Sequence, residues 1–434
     1  MSVAIWGGGR DGHAAATRCL EQDCSVVMVS DDPDSDEASR RTAEELSIPL
    51  HPASNLASMD IEFLVRSPGI SRYRPEVISL AKRSVPSSNL FALWLADQSP
   101  DKVIAVTGTK GKSTTATAIH ALLTATGRRA ELGGNIGVPV THLDPGADVF
   151  VVEVSSYQAS DCTTSPGIGV MTALGQDHIT WHGTLAQYHR DKVNLFAHRE
   201  MRHMVFHADD SVVMRALTSV GAVAKQFRSR IDPERLASLG EKSGAFERMG
   251  RTTFPQNFLL AIAAVEAIGI VPDDAQIEAA LRTIAPLASR QDVIGEAGGV
   301  EFIDDALASN PLAAGAAIQR FNDKPCVLIV GGGDRNVDHS EFIETINMSS
   351  HVHLVVVMGE PGDPLAERIV PMLARSVRTG TDDVRDAVRA AMAVAEPGWR
   401  IIFSPSAPTP ARIGDYRTRS DAFREAMNRA SSIS

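Results

Sequence analysis

Residues 103–114 read Val-Ile-Ala-Val-Thr-Gly-Thr-Lys-Gly-Lys-Ser-Thr and decide the fold of the middle of the chain. The apolar run predicts a buried strand, the glycines predict a loop, and a helical pattern follows over 115–123. Glycines in such a strand–loop–helix unit let backbone amides approach phosphate oxygens closely, because no side chain intervenes. The spacing G-x-x-G-K-S-T is two residues shorter than the common phosphate loop. The stretch therefore predicts a nucleotide-phosphate site.

Polar side chains in and after this loop suit triphosphate chemistry. Lys112 can hold the β- and γ-phosphates of ATP, and Ser113 or Thr114 can bind Mg²⁺. Lys110 adds a second positive charge beside them. Glu153 follows another buried strand, where a carboxylate is a natural Mg²⁺ ligand. A turn-capping role for this acid is the alternative.

A second glycine-rich turn, Gly7-Gly8-Gly9-Arg10-Asp11-Gly12, lies near the N-terminus. It follows the apolar run 3–6 and opens a helical pattern over 12–20, as G-x-G-x-x-G does in Rossmann-like units. Asp31 lies where a ribose-binding acid belongs in such a unit. The turn predicts nucleotide binding; NAD binding and a purely structural turn stay open as alternatives.

Short apolar runs alternate with helical patterns throughout the 434 residues, which predicts an α/β fold with mainly parallel sheets. Polar or proline-containing breaks at 97–101 and 286–290 divide the chain. We therefore expect three domains, at 1–97, 98–290 and 291–434.

Composition excludes several classes of function. The formal charge of −11 disfavours a general nucleic-acid or anionic-membrane binder. No apolar run approaches the length of a membrane span, and the N-terminus lacks the pattern of a signal peptide. The four cysteines form no C-x-x-C pair. We expect a cytoplasmic protein without a nucleic-acid or membrane partner.

Two residues of the middle region are ambiguous by themselves. His178, in Asp-His-Ile-Thr-Trp-His-Gly at 177–183, could bind a metal or orient a phosphate. A structural histidine is the alternative. Lys192 lies in a helical pattern, where a solvated lysine is the ordinary interpretation.

The order of the motifs adds to these local patterns. Along the chain lie Gly-Thr-Lys-Gly-Lys-Ser-Thr at 108–114, Gly-Gly-Asn-Ile-Gly at 133–137, Val-Glu-Val-Ser-Ser-Tyr-Gln at 152–158, the 177–183 motif, and Tyr188 four residues before Lys192. This order resembles the Mur ligases, as do Ser-Pro-Gly-Ile at 67–70 and Arg290. The first domain is most similar to the MurD type. The resemblance implies a Rossmann-like N-terminal domain, a P-loop ATPase-type central domain and a Rossmann-like C-terminal domain.

The resemblance also implies roles for particular residues. The positions implied to bind ATP are Gly108, Thr109, Lys110, Gly111, Lys112, Ser113, Thr114, Asn257, Arg290 and Asp305. Those implied to bind the other substrates are Gly9, Arg10, Asp11, Gly12, Asp31, Ser67, Gly69, Asn135, Arg335, Thr409 and Tyr416. Two Mg²⁺ sites are implied, one at Ser113 and Glu153 and one at His178 and a carbamylated Lys192. Lys112, His178 and Lys192 are the implied catalytic residues.

The usual H-N-x-x-N motif of the family reads Thr-Phe-Pro-Gln-Asn at 253–257 and keeps only its last asparagine. Other departures from the family pattern fall in the C-terminal domain. Leu307 replaces a lysine, and Ala411 stands near a usual aspartate, so the amino-acid pocket is altered. The sequences at 6–12, 67–76 and 177–183 are most similar to those of the subgroup that adds L-glutamate. The resemblance implies a monomeric ligase of peptidoglycan synthesis, which uses ATP and Mg²⁺ to join glutamate to UDP-N-acetylmuramoyl-L-alanine through an acyl phosphate. A separate epimerase would then act on the product, and hinge closure is expected near 290–305.

Four alternatives are weighed against this hypothesis. An ordinary D-glutamate-adding MurD ligase has the same chemistry. A folylpolyglutamate synthase lacks the first domain. An NAD-dependent oxidoreductase leaves the phosphate loop, Glu153 and Lys192 unexplained, and a non-catalytic regulator would show a damaged phosphate loop, whereas Lys112, Ser113 and Glu153 are all present.

Overall fold

The computed structural model describes residues 1–136, 138–221, 225–229, 231–249, 253–285, 289–335 and 337–431. Gly137 of the 133–137 motif and residues 286–288 of the predicted domain break lie outside the described residues. The described residues form three sheets, each built largely from parallel strands with helices between them. The prediction of an α/β fold is confirmed.

The first sheet has the strand order β3-β2-β1-β4-β5, and all its pairs are parallel. Its strands are β1 (Ser2–Trp6), β2 (Ser25–Ser30), β3 (Leu50–Pro52), β4 (Phe63–Arg66) and β5 (Ser87–Ser88), and its helices are α1 (Arg10–Glu21), α2 (Glu37–Glu45), α3 (Pro75–Lys82) and α4 (Leu90–Ala96). The order reverses at β1, so the turn after β1 lies at the switch point where such sheets bind ligands.

The second sheet has the order β11-β10-β9-β6-β8-β7, again parallel throughout. Its strands are β6 (Val103–Thr107), β7 (Ala130–Gly134), β8 (Val149–Glu153), β9 (Ile168–Met171), β10 (His203–Val205) and β11 (Lys225–Phe227). The accompanying helices are α5 (Lys112–Ala125), α6 (Ser156–Ala159), α7 (Ile179–His182), α8 (Leu185–Val193), α9 (Ser211–Ser219), α10 (Pro233–Lys242), α11 (Ala245–Met249), α12 (Thr253–Ala267) and α13 (Asp274–Thr283). The apolar run of β6 is completely buried, as its unbroken pattern predicts for a central parallel strand.

The third sheet has the order β12-β13-β17-β14-β15-β16, in which β12 and β13 are antiparallel and the other pairs are parallel. Its strands are β12 (Asp292–Ala297), β13 (Val300–Asp304), β14 (Cys326–Val330), β15 (Val352–Val357), β16 (Ser376–Arg378) and β17 (Arg400–Phe403). Its helices are α14 (Pro311–Arg320), α15 (Ser340–Met348), α16 (Pro364–Ile369), α17 (Val384–Met392) and α18 (Tyr416–Ser431).

Contacts divide the described chain into two compact units. The first unit contains the first two sheets and consists of Met1–Leu174, Trp181–Glu247 and Thr253–Ile284. The second holds the third sheet and also takes residues 175–180. The three domain boundaries predicted from the sequence stay predictions.

Two predicted helices begin earlier than their apolar patterns suggest. Helix α1 begins at Arg10, two residues before Gly12, and α5 begins at Lys112, three residues before Thr115. Both follow a glycine at the N-cap, and polar first turns carry no apolar signal, so the pattern misses them. Among the described residues, no helix has both the length and the apolar character needed to cross a membrane.

Candidate active site

The phosphate loop 108–111 connects β6 to α5 in the first unit. Gly108 and Gly111 have φ angles of 149° and 88°, which side chains rarely adopt. A Cβ on Gly111 would lie 2.7 Å from Oδ1 of Asn257, so this glycine lets the loop approach α12 closely. Helix α5 begins at Lys112, directly after the loop, and the N-terminus of a helix is a favourable site for a phosphate. The prediction places Asn257 among the ATP ligands, and the structure brings it to the loop.

The lysines and threonines of the loop are held by their neighbours. Lys112 Nζ donates to the carbonyl of Thr109 at 3.3 Å. The Thr109 amide donates to the carbonyl of Ala173 at 2.6 Å, and its hydroxyl lies 2.8 Å from the Tyr188 hydroxyl. Lys110 and Thr114 are half-buried. The loop is thus fixed from several sides before any ligand binds.

Glu153 is the acid predicted to lie at the end of β8. Its side chain is buried, Oε2 accepts from the Ser113 hydroxyl at 2.6 Å, and Oε1 accepts from Nδ2 of the exposed Asn135 at 2.7 Å. The strands β6 and β8 are adjacent and parallel, so their carboxyl ends bring the loop and the acid together. The structure therefore joins Ser113, Glu153 and Asn135 in one cluster.

The oxygen atoms of this cluster fit Mg²⁺. A hydroxyl and a carboxylate are the hard ligands that Mg²⁺ takes from proteins, and it usually completes its shell with water and substrate phosphate. Within the described residues, no three His, Cys, Asp or Glu side chains come together to hold a metal without such help.

Lys192 lies near the end of α8 and is not a solvated helix lysine. It is only 2% exposed, its Nζ donates to the carbonyl of Gly108 at 2.9 Å, and the ammonium lies 5.1 Å from the centre of the Tyr188 ring. The side chain of Lys192 therefore contacts the backbone of the phosphate loop at Gly108. Burial of an ammonium is costly, which favours a special role over a structural one.

Beside Lys192 lies a buried hydrogen-bond network that sequence reasoning did not assign. His182 Nδ1 lies 2.6 Å from Asp191 Oδ2, and its Nε2 lies 3.0 Å from the Ser156 hydroxyl. The hydroxyl of Tyr73 donates to Asp191 Oδ1 at 2.6 Å, and burial together with this bond raises the pKa of Tyr73. His182, Asp191 and Ser156 are buried, whereas Tyr73 is exposed, so the network connects the buried side of α8 to the protein surface.

The turn after β1 is built around close backbone approaches. A Cβ on Gly12 would lie 1.8 Å from the carbonyl oxygen of Gly7, so only glycine fits there. The Ser67 hydroxyl donates to the same carbonyl at 2.9 Å, which joins the two predicted substrate segments. The neighbouring predicted residues Gly9, Arg10 and Gly69 are exposed, and Asp11 is half-buried.

Asp31 lies directly after β2, at the strand end where the sequence prediction places it. It lies exposed after β2 and accepts from Arg74 Nη1 at 2.7 Å, while the Arg74 guanidinium lies 4.5 Å from the Trp6 ring. Its carboxylate thus has a protein partner, and its role in substrate binding stays a prediction.

Residues 66–73, which we term the strap, fasten the first sheet to the second within the first unit. Arg66 Nη2 donates to the buried Asp161 at 2.5 Å, and Asn89 Nδ2 donates to the same oxygen at 3.0 Å. The indole of Trp181 donates to the carbonyl of Pro68 at 3.1 Å. The strap contains the predicted substrate residues Ser67 and Gly69, so these bonds fix them relative to the second sheet.

The second unit carries another polar cluster. His178 has a φ of 54°, and its Nδ1 lies 3.3 Å from Arg335 Nη1. Arg335 also lies 3.5 Å from Asp177, whose other oxygen accepts from Asn310 Nδ2 at 3.1 Å. The structure therefore joins the predicted residues His178 and Arg335, and adds Asp177 and Asn310, which were not predicted as site residues.

Other predicted residues of the second unit lie on two loops and a helix start. Thr409 has a buried hydroxyl that makes no hydrogen bond among the described residues. Tyr416 begins α18 and is half-buried. Asp305 is 2% exposed and accepts from the Ser404 hydroxyl at 2.6 Å and from the Gln291 amide at 3.1 Å. Arg290 is half-buried between residues 289 and 291, which both have positive φ.

Two known protein-family domains match this chain, one in the middle and one in the C-terminal part. Residues 106–234 match the family described as "Mur ligase middle domain", and residues 289–407 match "Mur ligase, glutamate ligase domain". The structure is similar to that of a MurF ligase from Thermotoga maritima in complex with ADP, with a TM-score of 0.57, 17% identity, and coverage of 100% of this chain and 95% of that chain. The phosphate loop and the acid at the end of β8 are the features of an ATP-dependent ligase, and the two domain matches give its class. The chain belongs to the Mur ligase family.

Sequence relatives narrow the type. A Micromonospora protein named UDP-N-acetylmuramoyl-L-alanine–L-glutamate ligase is 33% identical over 98% of this chain and 96% of its own length. A Salinispora tropica protein of the same name is 32% identical over 98% of this chain and 97% of its own length. Within the Mur ligases the chain is of the MurD type, and both the family and the type predicted from the sequence are confirmed.

Proposed function

We propose that this chain uses ATP to join the amine of L-glutamate to the alanine carboxylate of UDP-N-acetylmuramoyl-L-alanine, releasing ADP and phosphate. The observation that carries the proposal is the intact phosphate loop with Ser113 and Glu153 hydrogen-bonded at 2.6 Å. A loop with these groups supports phosphoryl transfer, which a non-catalytic regulator would not need.

Lys112 and the first amides of α5 would hold the β- and γ-phosphates of ATP, with Gly108, Thr109, Lys110, Gly111 and Thr114 shaping the cradle. Mg²⁺ held by Ser113 and Glu153 would neutralise charge on the phosphoryl group that moves. Asn257 would lie against the nucleotide, because its side chain lies where a Cβ on Gly111 would point. Arg290 and Asp305 are proposed as further ATP contacts, although both oxygens of Asp305 accept hydrogen bonds from protein donors.

A second Mg²⁺ site is proposed at His178 and a carbamylated Lys192. The fit rests on the burial of Lys192 against the Gly108 carbonyl, because a buried amine converted to a carbamate becomes an anion with two oxygen ligands. In the unmodified protein, the same lysine would support the loop through that carbonyl.

The remaining predicted residues would bind the two other substrates. Gly9, Arg10, Asp11, Gly12, Asp31, Ser67, Gly69 and Asn135 are proposed to hold the UDP-sugar peptide. Arg335 suits a carboxylate of glutamate, because its guanidinium can form two parallel bonds. The buried hydroxyl of Thr409, which makes no hydrogen bond within the part of the chain that the structure describes, and the half-buried Tyr416 are proposed to complete that pocket.

The chemistry divides one difficult amide formation into two steps. ATP first phosphorylates the alanine carboxylate, giving an acyl phosphate and ADP. The glutamate amine then attacks this acyl group, and phosphate leaves through a tetrahedral intermediate. Much of the rate acceleration would come from holding ATP and the two other substrates side by side, because reactions between bound molecules avoid the entropy cost of a three-body encounter.

The enantiomer, location and assembly of the enzyme are part of the proposal. L-glutamate is favoured because Leu307 replaces the family lysine and because both relatives described above carry L-glutamate in their names. We propose a monomer that acts in the cytoplasm, where ATP and nucleotide-linked precursors are made, with domains at 1–97, 98–290 and 291–434. A separate epimerase would invert the added residue.

The proposal is tested by phosphate release from Mg-ATP and UDP-N-acetylmuramoyl-L-alanine, with L- and D-glutamate in parallel. Release with L-glutamate only is expected. Release with D-glutamate only would make the chain an ordinary D-glutamate-adding ligase, and no release with either would reject the proposed substrates.

A further inference from the structure

One arginine of the second unit is buried and forms no ion pair within 4.0 Å among the described residues. Arg419 is 2% exposed, and its Nε makes no hydrogen bond among the described residues. None of the ion pairs within 4.0 Å in the described chain includes Arg419; Asp382 acts on it from farther away and is itself paired with Arg412. Burial lowers the pKa of Arg419 to about 10, which still leaves it charged at neutral pH. A buried cation without a directly paired counter-ion is costly, so a fold that retains one calls for an explanation.

The hydrogen bonds of Arg419 join two loops. Its Nη1 donates to the carbonyl of Gly331 at 3.0 Å, and its Nη2 donates to the carbonyl of Ala407 at 3.1 Å. The first carbonyl belongs to the glycine turn 331–333, which follows β14 and leads to Arg335. The second belongs to the loop 404–410, which follows β17 and contains Thr409. One planar guanidinium thus joins the two loops that carry residues proposed to bind the substrate glutamate.

The backbone of these loops is shaped around the same group. The amides of Gly331 and Gly333 donate to the carbonyls of Pro405 and Pro408 at 2.9 and 2.8 Å. A Cβ on Gly332 would lie 2.4 Å from the Pro408 oxygen and 3.0 Å from Arg419 Nη1, so only glycine permits this approach. Arg419 also lies one helical turn after Tyr416 on α18. A single side chain therefore fixes the surroundings of three proposed glutamate contacts.

We propose that Arg419 is a positioning residue for the acceptor amino acid. Its guanidinium fixes the glycine turn 331–333 against the loop 404–410, and its charge adds a positive potential that favours a dicarboxylate such as glutamate. The inference rests on the proposed function, because it takes Arg335, Thr409 and Tyr416 as the glutamate contacts.

The test compares Arg419→Gln and Arg419→Lys with a matched control, Arg417→Gln. Arg417 lies two residues away on the same helix, is exposed, and pairs with Asp415, so its loss removes the same charge from the surface. Each variant is assayed for the KM values of glutamate, ATP and UDP-N-acetylmuramoyl-L-alanine. Hydrogen exchange of peptides covering 331–335 and 404–410 is followed in the free protein.

In Arg419→Gln the KM for glutamate should rise about tenfold or more, while the KM values of the other two substrates change less than about twofold. Exchange in both loops should become faster. Arg419→Lys retains the positive charge but loses the planar guanidinium that donates to both carbonyls. Hydrogen exchange in the two loops should therefore be faster than in the wild type, and the KM for glutamate should rise less than in Arg419→Gln. Arg417→Gln should match the wild type in every measurement.

Two results would overturn the inference. One is unchanged exchange in both loops, which would show that Arg419 does not hold them together. The other is an equal change in all three KM values, which would indicate a general structural role. If the wild type does not use glutamate at all, the proposed function fails, and the exchange measurement still decides whether Arg419 joins the loops. Should Arg419→Gln not fold, the lysine variant supplies both readouts.

Discussion

Removal of the Asp161 carboxylate should destabilise the first unit strongly. Asp161 accepts from Arg66 at 2.5 Å and from Asn89 at 3.0 Å, and it lies 3.4 Å from Arg72. The side chains of Arg66 and Asp161 are only 1% and 3% exposed. In Asp161→Ala the Arg66 cation stays buried without its partner, for which the cost is about 3–5 kcal/mol. That is a large fraction of the roughly 5–15 kcal/mol by which domains are stable.

Urea unfolding followed by circular dichroism measures this loss. Asp148→Ala is the matched control, because Asp148 forms an exposed pair with Arg129 at 3.4 Å and such pairs contribute about 0–1 kcal/mol. The double variant Arg66→Met with Asp161→Leu removes both charges and should recover most of the loss. The KM for the UDP-sugar substrate should also rise in Asp161→Ala, because Arg66 directly precedes Ser67 in the strap.

A loss below about 1 kcal/mol in Asp161→Ala would refute the reasoning, since it would mean that Arg66 finds water or another partner at little cost. A double variant as unstable as the single one would also contradict it. In that case the packing of the strap would matter, and the charge pair would not.

Three further predictions concern catalysis. Lys112→Ala should abolish ATP-dependent phosphate release, because Lys112 is the side chain proposed to hold the β- and γ-phosphates of ATP; near-normal release would remove the loop from the mechanism. Lys192→Ala should be nearly inactive and partly rescued by a short-chain carboxylate added to the assay, whereas full activity without rescue would contradict a role for the carbamate. Gly111→Ala should weaken ATP binding at least about tenfold by isothermal titration calorimetry, because φ is 88° and the new Cβ would lie 2.7 Å from Asn257; unchanged affinity would show that the loop adapts.

The phosphate-loop half of the candidate site could be predicted from the sequence because its parts are local. A strand, a loop and a helix follow one another directly over 103–123, and the glycine spacing reports the backbone that the loop needs. The pairing of Ser113 with Glu153 was also predictable, since both lie at the carboxyl ends of parallel strands or just beyond.

The cluster around Asp177 could not be predicted in the same way. Its partners Asn310 and Arg335 lie more than a hundred residues along the chain, and only tertiary structure brings them together. The start of α5 was missed because its first turn is polar. One signal for Arg419 was available: it lies with Ala422, Phe423 and Ala426 on the buried stripe of α18, where an arginine is unusual.

The most direct test of the account is the stereochemistry of the product. The protein is supplied with Mg-ATP, UDP-N-acetylmuramoyl-L-alanine and racemic glutamate, and the product is isolated. Its mass is measured by mass spectrometry, and the enantiomer of the added glutamate is identified by chiral analysis after hydrolysis. We expect a product that is heavier by one glutamate residue and yields only L-glutamate on hydrolysis. A product that yields D-glutamate would contradict the proposed enantiomer, and the absence of any glutamate-containing product would contradict the ligase reaction itself.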